Sequence, residues 1–264
     1  MTPPDLSPGS TVTVLPGDPR SPVVLHVPHA ATTIPRRVRD RILLDEAALA
    51  VELSHMTDAG TGEIATAAHG SASPVPWVFR NELSRLVVDP ERFPDEREEM
   101  LAAGMGAVYT RTSHGQPLRH PDAGHEADLL QTYFHPYATA LADLVDARLA
   151  ATGSAVIVDL HSYPAAALPY EIHRDRRRPA ACLGVDETHT PQWLVDLAAR
   201  ALAVLGEPVV NEPFAGTYVP QRHYQQDRRV LSIMLELRRD ELSAPEVLRQ
   251  AAAAVASLVS ALTA

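Results

Sequence analysis

Short apolar runs alternate along the chain with longer segments of helical period, and that alternation predicts the elements. "PVVLHVPHA" carries a buried strand over Val23 to Val27, stopped by Pro28. Further strands are expected at "VPWVFR", "RLVVD", "AVIVDL" and "VLSIMLEL". Helical segments fall between them. "DEAALAVELSHM" starts near Asp45 with acids in its first turn, and "TDAGTGEIATAAHG" runs from a Thr57/Asp58 cap signal to Gly70. "EADLLQTYFHPYATALADLVDARLAATG" has helical periodicity, with Pro136 expected to kink it and Gly153 to end it. "PQWLVDLAARALAVLG" places Pro191 at a first helical position and Gly206 past the end. The final segment offers Ser243 and Glu246 as a capping box. Residues 1–21 read as an irregular lead-in, and 92–124 and 162–190 as long loops. Strands alternating with helices indicate an α/β fold around a mixed, largely parallel sheet, in one domain over 1–264.

Composition narrows the function classes. A formal net charge of −10 argues against a nucleic-acid or anionic-membrane surface. One cysteine, Cys182, excludes a disulfide framework within the chain and any cysteine-based zinc site. No basic segment followed by an apolar run opens the sequence and no run is long enough for a span, so a cytoplasmic protein is expected.

The chemistry sits where apolar strands end. "HVPHA" supplies His26 and His29, "VDLHS" supplies Asp159 and His161, and "LELRRDEL" supplies Glu236. In open α/β sheets, ligands gather beyond the carboxyl ends of strands. Two histidines and a carboxylate form the ligand set of a catalytic zinc that keeps one position open. A carboxylate inside a buried strand is expensive unless paired, so Glu236 either holds an arginine or faces an active site. Pattern alone leaves both open.

The chain resembles the N-formylglutamate amidohydrolase family, in the segments "HVPHAATTIP", "DAGTGEIA", "SRLVVDPER", "YFHPYATAL", "VDLHS", "NEPFAGTY" and "IMLEL", in family order from about residue 23 to 240. The resemblance implies a three-layer sandwich like that of the zinc carboxypeptidases. It implies one zinc per chain on His29, His161 and Asp58, with Thr32 standing where the carboxypeptidase spacing would have its glutamate. Glu236 would be the general base. Asp159, two residues before His161 and on the same strand face, would hydrogen-bond a ligand imidazole, or else anchor the turn that follows. The implied substrate is a small N-acyl amino acid with an acidic side chain, such as N-formyl-glutamate. An arginine fork suits its carboxylate. Arg80, Arg85 and Arg92 are on offer, and the resemblance favours Arg85 with Asp89 as its partner, against a purely structural Arg85–Asp89 pair. Gly216, Tyr218 and His223 are expected near the substrate. Two positions depart from the family: Ala138 stands for a histidine after "PY", and Glu91 for the asparagine of "DLNR". The run at residues 173–179 reads as a solvated loop, and residues 168–191 as a distinct specificity loop.

Overall fold

The computed structural model describes residues 11–263. Seven strands form one mixed sheet: β1 Val12–Leu15, β2 Val23–Val27, β3 Trp77–Asn81, β4 Ala155–Tyr163, β5 Ala181–Gly184, β6 Val209–Val210 and β7 Val230–Arg238. Their spatial order is β1-β3-β2-β4-β7-β5-β6. The middle four, β3, β2, β4 and β7, run parallel; β1 joins β3 antiparallel, and β5 joins β7 antiparallel.

The period of two along the central strands decides everything that follows. Val23, Leu25 and Val27 of β2, Val156, Val158 and Leu160 of β4, and Ile233, Leu235 and Leu237 of β7 point to one face. There they pack with helices Thr61–Ser71, Gln192–Leu202 and Pro245–Ala261. Val24, Ile157 and Val230 point to the other, against Tyr137, Leu141 and Val145 of the helix His135–Thr152. His26, Asp159, His161 and Glu236 keep the phase of this second set. The same alternation that builds the core therefore aims all four polar groups to one side of the sheet. A third apolar cluster, including Leu86, Met105, Tyr109 and Leu118, lies within and around the polar segment 83–118.

Several local expectations change. Of the lead-in over 1–21, residues 1–10 lie outside the described residues, and the rest contains β1, because "VTVL" can pair with the edge strand β3. "RLVVD" is a turn rather than a strand. Its apolar residues are buried in the third cluster instead of a sheet. The loop 162–190 contains β5. Pro136 carries no N–H to continue a helical ladder, and the chain approaches it through a π-helical turn, Leu130–Phe134. Pro191 is the N-cap of its helix rather than the first helical residue. The Ser243/Glu246 box does not form: Ala244 is the N-cap, and the Ser243 hydroxyl donates to the Asp240 carbonyl of the short preceding helix. Among the described residues no helix is long and apolar enough to cross a membrane.

Candidate active site

Three adjacent parallel strands, β2, β4 and β7, deliver the site. Pro28 ends β2, so His29 sits just past the sheet. His161 and Glu236 are direct neighbours in the β4–β7 register. Asp58 arrives from the connection between helices Glu46–Met56 and Thr61–Ser71, where its N–H donates to the His29 carbonyl at 3.0 Å. Gly60, with φ +91°, turns the chain into the second helix and is its N-cap. The Asp58 carboxylate is thereby free of any capping role, which removes that alternative.

His29 Nδ1 and His161 Nδ1 lie 3.3 Å apart. Asp58 Oδ2 is 3.0 Å from His161 Nδ1 and 3.6 Å from His29 Nδ1. All three residues are buried. A further carboxylate lies beyond each outer nitrogen. His29 Nε2 meets Asp89 Oδ1 at 3.0 Å, and His161 Nε2 lies 3.1 Å from Asp159 Oδ1. Asp159 also accepts from His26 Nδ1 at 2.8 Å and from the Tyr218 N–H at 3.2 Å. The Asp89 carboxylate behind His29 fixes that ring's orientation and raises the basicity of its Nδ1, as around protein metal sites. Burial works against ionising Asp58, but hydrogen bonds from His161 and His29 prevail and hold its carboxyl well below the ordinary range. Burial likewise opposes protonation of His161, yet the Glu91 and Asp159 charges raise it well above a usual imidazole.

Glu236 is the odd member. It is 8 % exposed and its Oε2 accepts no hydrogen bond. Burial pushes its carboxyl up to about 8; His161 opposes this, and the Asp58 charge adds to it. Among the described residues no arginine or lysine pairs with it within 4.0 Å. Of the two readings the sequence left open, the salt bridge is absent and the carboxylate borders a cavity of about 540 Å³ that His29, Asp58 and His161 also line.

The remaining candidates divide. Arg85 lines the cavity, but its Nε and Nη2 donate to Asp89 Oδ2 at 3.1 and 2.6 Å, so the structural pair forms, and its Nη1 lies 3.9 Å from Asp58 Oδ1. Gly216 and Tyr218 line the same cavity. Arg80 does not: it pairs with Glu82 at 2.8 Å and borders a separate cavity near Gly62 and Glu63, because its strand position points away from the site. His223 is also absent from the wall and lies 2.9 Å from Asp146. The expected solvated run is partly tied down, with Arg178 bound to Glu171 at 2.6 Å. Arg239 went unnoticed in the sequence. Its Nη2 donates to the Ser162 carbonyl at 2.7 Å and to Asp58 Oδ1 at 3.3 Å, tying β4 to Asp58. The signal was available: Arg239 stands three residues after Glu236, at the end of a strand that already carried a site residue.

An unpaired buried carboxyl with a raised pKa beside a buried His–Asp–His cluster, at the strand ends of an α/β sheet, marks a candidate catalytic site. The chain belongs to the N-formylglutamate amidohydrolase family, whose sequence model matches residues 21–243; that family hydrolyses amide bonds. The structure is similar to that of N-formylglutamate amidohydrolase from Ralstonia eutropha, with a TM-score of 0.79, 20 % identity, and coverage of 96 % of this chain and 97 % of that one. It is also similar to a gene product of Agrobacterium tumefaciens, with a TM-score of 0.71, 18 % identity, and coverage of 97 % and 95 %. No curated protein matches the sequence.

Proposed function

We propose that this chain is a zinc-dependent amidohydrolase that removes a formyl or related acyl group from the nitrogen of an acidic amino acid such as N-formyl-glutamate. The observation that carries the reading is the ligand triangle. Four bonds of 2.0–2.1 Å in a tetrahedron put ligand atoms about 3.3–3.4 Å apart, and the 3.3, 3.0 and 3.6 Å edges between His29, His161 and Asp58 bracket that value. Nδ1 of each imidazole and one Asp58 oxygen would hold the ion, beside the cavity that all three residues line. A zinc ion held there would supply a Lewis acid for the amide carbonyl and the attacking water.

The chain's own residues do the rest. Glu236 takes a proton from the attacking water and returns it to the departing nitrogen, so the amide becomes a carboxylic acid and a free amine. Taking the proton requires the ionised form, which a cation held by His29, Asp58 and His161 would favour against the burial that raises this carboxyl in the metal-free chain. Asp89 keeps the His29 imidazole in the tautomer that presents Nδ1, and Arg85 holds Asp89. In this reading the substrate carboxylate meets a cavity wall that includes Arg85 and Arg92, with Gly216 and Tyr218 in the same lining. The carboxypeptidase-like character and cytoplasmic setting expected from the sequence belong to the same reading. A protein that only binds ligands gains nothing from an unpaired buried glutamate at this place. The test is a panel of N-formyl and N-acetyl amino acids with metal-loaded and chelator-stripped protein. Hydrolysis confined to the loaded form and to acidic amino acids supports the reading; hydrolysis by the stripped form overturns it.

A further inference from the structure

The chemistry above leaves Glu91 without a task. Its carboxylate enters a cavity meant for an acidic substrate, where negative charge is unwelcome. Oε1 is buried and accepts no hydrogen bond. It lies 3.6 Å from His26 Nδ1, while Oε2 lies 3.3 Å from His161 Nε2 and 3.7 Å from His29 Nε2. Asp159 Oδ1 stands in the same place, 2.8 Å from His26 Nδ1 and 3.1 Å from His161 Nε2. His161 Nε2 is itself buried without an aligned partner. Among the described residues, neither Glu91 nor Asp159 has an arginine or lysine within 4.0 Å.

Buried carboxylates require positive charge or strong donors. If His29 and His161 give their Nδ1 lone pairs to one ion, each is neutral and offers only an Nε2–H. His26 remains, and its Nε2 is engaged by the Tyr137 hydroxyl. Its Nδ1 is the ring nitrogen left to face both carboxylates.

We propose that His26, Glu91 and Asp159 form a second divalent-cation site, reached from the same cavity and facing the opposite nitrogen of the His161 ring. The proposal rests on His29, Asp58 and His161 being the ligands of the first ion. One ligand atom from each of the three residues can be chosen so that all lie within 4.8 Å of one another. The edges of 2.8 and 3.6 Å from His26 Nδ1 bracket the roughly 3.0–3.4 Å expected between ligands on bonds near 2.1 Å. One imidazole with two carboxylates suits zinc or manganese better than calcium or copper(I). His161 is not a ligand of this ion. Its Nε2 lies 3.3 Å from Glu91 Oε2 and 3.1 Å from Asp159 Oδ1, so the ring stands between the two sites. The second ion converts the Glu91 charge from a repulsive element into an anchor for an anionic substrate.

Metal stoichiometry tests this directly. The full chain is stripped, reloaded with zinc alone or manganese alone, freed of excess ion and measured by elemental analysis. The wild type should hold about two ions and Glu91→Gln about one. Asp58→Asn should also hold one, and anomalous diffraction should place it beside His26. One ion in both the wild type and Glu91→Gln overturns the proposal and leaves the first site intact. One wild-type ion that Glu91→Gln removes and Asp58→Asn keeps upholds this site and overturns the first. No ion in the wild type overturns both. Should Glu91→Gln fail to fold, a wild-type zinc-edge map with no peak among His26, Glu91 and Asp159 overturns the proposal by itself.

Discussion

Replacing Glu236 by glutamine should stabilise the metal-free protein while it abolishes most of the activity. Burial raises the Glu236 carboxyl from an ordinary 4.5 to about 8. Between those values the folded chain binds more protons than the unfolded one, so stability falls as pH rises through the window. The protonated side chain is tolerated in full below pH 4.5, and the penalty is complete above about pH 8. At pH 7 the gap of 2.5 pH units above the ordinary value corresponds to about 3 kcal/mol, and at pH 9 to about 5 kcal/mol. Glutamine has nearly the same shape and never ionises. Asp58 and Asp159 are present in both proteins, so to first order their titration drops out of the comparison. Metal-free Glu236→Gln should therefore melt higher by about 6–12 °C at pH 7, with the difference closing near pH 4.5. Calorimetry of both proteins across pH 4–9 reads this out. Removing the base should lower kcat by about 10²–10⁴. A variant less stable than wild type at pH 7–9 would refute the reasoning, because it would show the glutamate ionised and satisfied in the fold.

Other consequences are as direct. Asp58→Asn should weaken zinc binding by a factor on the order of 10–100 or more, measured by chelator competition, and Asp89→Asn should weaken it less because Asp89 acts through His29. Arg85→Lys should lower both zinc affinity and kcat/KM, since a lysine cannot reproduce the two N–H contacts that hold Asp89; kinetics that change with zinc affinity untouched would make Arg85 a substrate residue only. Arg80→Ala should leave kcat/KM within about twofold and cost under about 1 kcal/mol of stability by denaturant titration, as expected for a part-exposed ion pair. On acidification below about pH 4 the metal-free protein should lose stability. Asp58 and Asp159 have carboxyls below their ordinary 3.8, so their contribution is present above that pH and is lost as they take up protons.

The central sheet and its polar outlets were legible because periodicity carries them. A strand such as "VVLHVPH" exposes its phase in the sequence, and with it the side of the sheet to which His26 points. His161 and Asp159 share a face for the same reason. Residues outside regular elements were harder. Asp58 looked like a helix cap because only tertiary structure shows that Gly60 caps that helix. Arg80 and Arg85 lie five residues apart in one polar stretch, and nothing local distinguishes the one turned toward another cavity from the one behind His29. "RLVVD" has strand composition, yet its apolar side chains are consumed by a lobe whose partners at Met105 and Leu118 arrive roughly twenty and thirty residues later. Arg239 was hidden by a bland context: a basic pair after a strand usually meets solvent, and here one member returns to Asp58.

Formate release from N-formyl-L-glutamate, followed while stripped protein is titrated with zinc, tests the amidohydrolase reading most directly. The stripped chain should be inactive, and activity should appear with zinc and disappear again on chelation. Formate release undiminished by complete removal of metal would contradict the role given to His29, Asp58 and His161.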